Sequence, residues 1–184
     1  MISHDQSAVY VWETQTGKLT RKFKIAAECL AVAPKGTLLA LGLRANEHDE
    51  NAVAWWDWQA GKEVGRVTLP LKVTPQQVSF SPDGKQLLCR ADRSLRVWDT
   101  ESRQEIKLWE TADAKQRLCG YSADGSHLVI SSGNSLLIVN LQTRTKLVLQ
   151  GAQRTSYWVA FSPDEKSLTL RDTGLAKIPG DFNP

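Results

Sequence analysis

A chain of 184 residues with 41% hydrophobic and 23% charged side chains can bury one sizeable core, and that balance excludes disorder for most of its length. Its 23 basic and 20 acidic residues leave a net charge of +3 with no long run of either sign, so the basic stripe of a nucleic-acid binder is absent and nucleic acid is not an expected partner. No run approaches the ~18 to 20 apolar residues of a membrane span, and the opening "MISHDQSAVYVW" lacks the charged-then-apolar order of a secretory signal; a cytoplasmic chain with no membrane partner is expected.

In chain order, the apolar-alternating run at about 8 to 14, with Trp12, and the polar-alternating run at 18 to 25 read as two strands joined by the turn "QTGK". From 26 to 70, Leu30 and Val32 precede a turn at Gly36, and Leu39 and Leu41 follow it. Next come "AVAWWDW" with Trp56, the turn "QAGK" and the polar-alternating "KEVGRVTL". From 71 to 110 the same order returns as Val78 and Phe80, the turn Ser81-Pro82-Asp83-Gly84, Leu87 and Cys89, then "LRVWDT" with Trp98 and Asp99. From 111 to 150 it returns as Cys119 and Tyr121, "SADG", Leu128 and Ile130, and "LLIVNL" with Val139. From 151 to 184 only Val159, Phe161, "SPDE", Leu168 and Leu170 are clear, before a poor third strand, "GLAKIPGDFNP". There Pro179 removes a ladder donor.

Two series of landmarks share one period. Gly36, Gly84, Gly125 and Glu165 are separated by 48, 41 and 40 residues; Trp12, Trp56, Trp98 and Val139 by 44, 42 and 41. In the fullest turn copy proline presets φ, aspartate bonds locally and glycine accepts positive φ, so each unit begins as an antiparallel hairpin. Four antiparallel strands in about 41 residues is the blade of a β-propeller.

The chain resembles the WD-repeat β-propellers. The likeness is carried by Trp98-Asp99 and Trp56-Asp57, by the weaker copies Trp12-Glu13 and Val139-Asn140, and by the Ser-Pro-Asp-Gly turns. The family's Gly-His element is absent, so Asp92, six residues ahead of Trp98, lacks its histidine, as does Asp172. The resemblance implies an all-β chain of four-stranded antiparallel blades: a half blade (1–25), three blades (26–70, 71–110, 111–150) and an incomplete one (151–184). With about four blades, that is a partial propeller completed by further chain, a small ring, or half of a two-chain ring, that is, a homodimer. Trp12, Trp56, Trp98, Asp99, Asp92, Pro82 and Gly84 are expected to be structural repeat residues.

Trp55 shares its repeat position with Val11, Val97 and Ile138 and is expected in the core, whereas Trp58, opposite Thr14, Thr100 and Leu141, is a candidate contact residue. Cys89 and Cys119 fall at apolar repeat positions and Cys29 at a mixed one. The three cysteines, odd in number and without a CxxC pair, suit neither a disulfide framework nor a zinc site. His4, His48 and His127 do not recur in register. The cluster Glu47, His48, Asp49 and Glu50 could hold a metal, but a solvated loop is the simpler reading, and no metal is expected. No phosphate loop, nucleophile elbow or paired-carboxylate pattern is present, so neither a cofactor nor a catalytic residue is assigned.

Leu41 to Trp56 is 15 residues, against 9 for Cys89 to Trp98 and for Ile130 to Val139. One blade therefore carries a six-residue insertion between its second and third strands. In the family such loops share a face with the connections between blades, where partners commonly bind. Arg44, Asn46, Glu47, His48, Asp49, Glu50 and Asn51, with Trp58, Arg93, Lys115 and Arg154, are the candidate partner-binding residues. The expected role is a non-catalytic scaffold or adaptor binding a protein or peptide. The alternatives are a sensor or regulatory segment of a larger signalling enzyme and a propeller binding a small ligand in its central channel.

Overall fold

The structure is a computed structural model. It describes residues 1–5, 7–45, 50–70, 72–110, 117–132, 135–143, 145–150, 159–162, 167–170 and 174–177, and among these the only regular elements are strands. The chain divides into two units, Met1–Glu110 and Thr111–Pro184.

In the first unit, β1 (Ile2–His4), β2 (Val9–Trp12) and β3 (Leu19–Phe23) form a three-stranded sheet. It is followed by β4 (Cys29–Val32), β5 (Leu38–Leu43), β6 (Ala52–Asp57) and β7 (Lys62–Thr68). A third sheet comprises β8 (Pro75–Phe80), β9 (Gln86–Ala91), β10 (Ser94–Asp99) and β11 (Glu105–Glu110). Each sheet is an antiparallel meander in chain order. The strand β1 exceeds the two strands expected for residues 1–25. "ISH" is too short and too polar to show alternation, and backbone pairing holds it: the Met1 amino group donates to the Trp12 carbonyl (2.9 Å) and the Trp12 N–H to the Met1 carbonyl (2.8 Å). Asp5 closes the turn by accepting the Ser7 and Ala8 N–H groups and the Tyr10 hydroxyl.

The hairpin turn is built twice in the same way. Ser81 Oγ donates to Asp83 Oδ1 (2.6 Å), which also accepts the Lys85 N–H, while the Gln86 N–H donates back to Ser81 Oγ (2.9 Å) and Gly84 N–H to the Ser81 carbonyl. Ser122, Asp124, Ser126 and His127 repeat each bond in the second unit. Gly36, Gly84 and Gly125 take φ of 78°, 76° and 76°, the left-handed region glycine enters without a Cβ penalty.

The core lies between sheets. Leu39 and Leu41 of β5 point with Val9 and Ala27 into one apolar cluster, joined by Phe23, Ile25, Trp56 and Trp58. Ala40 of β5 and Val53 and Trp55 of β6 point the other way, against Val78, Phe80, Leu87, Cys89 and Trp98. The second strands are therefore buried on both faces: Leu39, Ala40, Leu41, Leu87, Leu88 and Cys89 are all fully enclosed. In β5 strict alternation is overridden because a neighbouring sheet lies on either side of it. Trp55 sits at 0% exposure, edge-on to Trp98 with ring centroids 6.5 Å apart at 90°, the quadrupole-favoured geometry. Gly65 marks a close approach between sheets: a Cβ there would lie 2.1 Å from Arg103 Nε.

In the second unit, β12 (Arg117–Tyr121), β13 (His127–Ser132), β14 (Ser135–Asn140) and β15 (Lys146–Gln150) form a four-stranded antiparallel sheet. β16 (Val159–Phe161), β17 (Ser167–Leu170) and β18 (Gly174–Lys177) form a three-stranded one. Leu128, Val129, Ile130, Leu136 and Ile138 are buried.

Candidate functional site

The acidic residues of the repeat are turn caps. Asp57 Oδ1 accepts the Gln59 and Ala60 N–H groups (2.9 and 2.8 Å), and Asp99 Oδ1 those of Glu101 and Ser102 (3.1 and 2.7 Å). The backbone N–H of Ala60 holds the Asp57 carboxyl below its ordinary range, and that of Ser102 does the same for Asp99. Asn140 caps the matching turn in the second unit through Oδ1 and donates from Nδ2 to His127 Nε2 (3.1 Å). With Nε2 accepting, the imidazole carries its proton on Nδ1, which donates to Ser126 Oγ (2.6 Å). Asp92 Oδ2 accepts the Thr74 N–H (3.2 Å) and so ties the β9–β10 turn to the segment entering β8.

The thiols of Cys29 and Cys89 are held out of chemistry by burial instead. Burial pushes Cys29 up to about 12 and raises Cys89 as well, so neither supplies a thiolate near neutral pH. Both are free, and both are packed as small apolar side chains. The Cys119 side chain lies outside the described residues, as do Asp172 and Pro179.

The connection between β5 and β6 runs from 44 to 51, whereas residues 92 and 93 alone join β9 to β10. Of its candidate residues, Asn46, Glu47, His48 and Asp49 lie outside the described residues, as do Lys115 and Arg154. Arg44 and Glu50 are exposed. Asn51 is 8% exposed and clasps the ends of the connection: Oδ1 accepts the Ala45 N–H (2.6 Å) and its carbonyl accepts the Leu69 N–H (2.8 Å). Arg93 is exposed in the β9–β10 turn. Trp58 is not brought to this end of the sheet. The six residues of β6, a length of ~20 Å, separate it from the 44–51 connection, and it packs, half-buried, on the apolar cluster beside Phe23. There Arg21 donates to the carbonyls of Trp58 and Gln59 (3.5 and 2.5 Å).

Beside the 44–51 connection is a cleft of about 400 Å³. Trp56, Ile25 and Leu43, all half-buried, give it an apolar floor, beneath which Leu41 and Ala54 are fully buried. Its charged rim comes from Lys24 and Glu28 before β4, Arg44 and Glu50, and Glu63 and Arg66 of β7. Arg66 grips Glu63 with two bonds, Nε to Oε1 (3.0 Å) and a terminal nitrogen to Oε2 (2.8 Å). Residues three apart on a regular strand face opposite ways; these two meet because the ladder slips between Trp55 and Trp56, leaving Val64 as the extra residue of a β-bulge. The same slip recurs at Val11/Trp12 and Val97/Trp98. Glu63 and Arg66 are therefore site residues that a strict period of two conceals.

Trp56 differs from its repeat partner in one respect. Trp12 donates its indole N–H to Ser3 Oγ (2.9 Å); the residue at the Ser3 position of the next sheet is Leu41, and the Trp56 N–H is enclosed without an acceptor.

Comparison with known proteins agrees with this architecture. Residues 74–99, which hold β8, β9 and β10, match the family described as WD domain, G-beta repeat. Apoptotic protease-activating factor 1 of Mus musculus is 30% identical over 100 residues, covering 46% of this chain and 8% of that protein; its counterpart in Rattus norvegicus is 29% identical over the same shares. The chain thus spans only a small part of the length of these curated relatives. Among solved structures, Kuenenia stuttgartiensis hydrazine synthase aligns with a TM-score of 0.69 at 23% identity, over 89% of this chain and 49% of that one, a likeness of fold alone. Blade-like sheets in series, a repeated Ser-x-Asp-Gly turn network and Trp-Asp pairs whose aspartates cap turns are the architecture of propeller blades, and the blade that holds residues 74–99 matches the WD repeat.

Proposed function

We propose that this chain is a non-catalytic interaction module that binds a protein or peptide through the face carrying the 44–51 connection. The observation that carries this reading is the cleft beside that connection, an apolar floor with a charged rim, which is the anatomy of a protein interface. The mechanism is rigid display. The floor is built on strands buried from both sides, so docking orders few groups beyond the rim side chains. The reading is supported by what the repeat aspartates do: Asp57, Asp99 and Asp124 are engaged in turns and so serve structure, not acid–base work. The likeness to hydrazine synthase is one of fold and brings no chemistry with it.

A narrower form of the reading is a regulatory segment within a larger protein. It is favoured by the match to apoptotic protease-activating factor 1, of which the aligned part is 8%.

The test is quantitative capture from a cell extract on the immobilised wild-type chain and on a variant lacking residues 46–49. The proposal expects a saturable set of proteins retained by the first and lost by the second, with unchanged melting. Equal retention by both would remove the 44–51 face from the account, and turnover of a small-molecule substrate by the purified chain would contradict the non-catalytic reading.

A further inference from the structure

The cleft narrows the class of partner, on the assumption that the chain is an interaction module. Its accessible apolar surface comes from Trp56, Ile25 and Leu43, all half-buried, with Leu41 and Ala54 fully buried beneath them. A volume of about 400 Å³ falls in the range that holds a small ligand or an anchoring side chain, ~300 to 1,000 Å³. The rim residues are three cations (Lys24, Arg44, Arg66) and three anions (Glu28, Glu50, Glu63). That balance disfavours a phosphate, a nucleic acid or any polyanion, which would gather cations without matching carboxylates.

The rim charges differ in how far they are already engaged. Glu63 and Arg66 satisfy each other bidentately. Arg44 and Glu28 approach only to 3.9 Å, beyond hydrogen-bond reach, with 69% and 43% of their side-chain surfaces exposed. Lys24 and Glu50 form no ion pair among the described residues. Among the described residues, the rim charges outside any ion pair are therefore one cation, Lys24, from the segment before β4, and one anion, Glu50, from the end of the β5–β6 connection, beside an apolar floor.

We propose that the cleft binds an extended peptide segment that lowers one large apolar side chain onto Trp56, between Ile25 and Leu43. An acidic residue on one side of that anchor meets Lys24, and a basic residue on the other meets Glu50. Burial of the anchor supplies most of the affinity, and the two rim charges set the direction in which the segment lies, since complementary charges fix register more than they add binding energy.

The experiment is selection from a random peptide library displayed on phage against the wild-type chain. Synthetic versions of the selected peptides are then titrated against wild type, Ala26→Trp, Ala45→Trp and Lys24→Glu. Ala26 and Ala45 are exposed at the cleft margin, so tryptophan there obstructs the cleft without entering the core, and circular dichroism melting checks that each variant folds. The expected result is peptides with one apolar anchor between an acidic and a basic residue, bound at least tenfold more weakly by both obstructed variants. Lys24→Glu should weaken them as well and be rescued by replacing the acidic flank with lysine. Peptides that bind wild type and both obstructed variants alike would overturn the cleft proposal and leave the interaction-module reading standing. Failure to select any peptide would count against both, and selected peptides that keep their affinity for Lys24→Glu would overturn the assigned orientation.

Discussion

Replacing Trp98 by alanine tests the packing between the second and third sheets most sharply. Trp98 is 3% exposed and meets Trp55, at 0%, edge to face. A tryptophan hides ~150 to 250 Å² of surface, which at ~25 cal/mol per Å² gives a ceiling of about 4 to 6 kcal/mol. Measured large-to-small changes of this kind cost about 3 to 5 kcal/mol, and that is the loss expected for Trp98→Ala. Trp55→Ala should cost less, because the Trp55 indole N–H is buried without a partner and its removal relieves a penalty of about 1 to 3 kcal/mol. The assay is urea unfolding followed by far-ultraviolet circular dichroism for wild type, both single variants and the double variant. The cycle should return a coupling of about 0.5 to 1.5 kcal/mol for the ring pair. A Trp98→Ala cost below about 1 kcal/mol, or strict additivity, would refute the assignment of this pair as the join between the sheets.

Trp56→Phe keeps the contact with Phe23, whose ring centroid is 5.8 Å away, and removes an enclosed N–H without an acceptor; stability should stay within about 1 kcal/mol by the same urea assay. Asn140→Ala deletes two turn-capping bonds and the amide that holds His127, all at a residue 6% exposed, and should cost about 1 to 3 kcal/mol. Asp124 is pulled in two directions: its partial burial raises its pKa, but the Ser122 and Ser126 bonds prevail and lower it to about 2. Its folded value lies below the unfolded one, so its contribution is present above about pH 4 and is lost as pH falls toward 2; Asp124→Asn should flatten that part of the acid stability profile. In a Cys119→Ala background, Cys29 and Cys89 should resist a thiol-specific chromogenic reagent at pH 8 in the folded chain and react fully once it is unfolded in guanidinium.

Much of the architecture was legible because the repeat is strongly marked. Leu39, Leu41, Leu87, Cys89, Leu128 and Ile130, paired off by alternation, are all buried. The match at 74–99 falls on the stretch whose Ser-Pro-Asp-Gly turn and Trp-Asp pair are both intact. What escaped the sequence had local physical causes. The strand β1 is held by backbone pairing that no side-chain pattern reports. Leu30 and Val32 were paired with the core residues, yet Leu30 is half-buried and Val32 is 47% exposed, since β4 packs mainly along one side. In the candidate site, Arg44 and Glu50 do rim the cleft, but Asn51 is a buried clasp and Trp58 lies at the far end of β6. Lys24 and Glu28 enter the site through the chain's path from β3 to β4, and Glu63 with Arg66 through a bulge; neither cause leaves a signature in residue spacing.

In the proposed function, binding rests on the apolar surface of the cleft, with the rim charges setting its direction, on a scaffold that does not depend on the exposed margin. The most direct measurement is calorimetric titration of a captured partner, or of a selected peptide, against wild type and the Ala26→Trp variant, which obstructs the cleft from its exposed margin, with urea unfolding of both chains in parallel. The account predicts at least a tenfold loss of affinity with stability changed by no more than about 0.5 kcal/mol, as expected for exposed side chains. Unchanged affinity, or a loss of affinity matched by loss of fold, would contradict it.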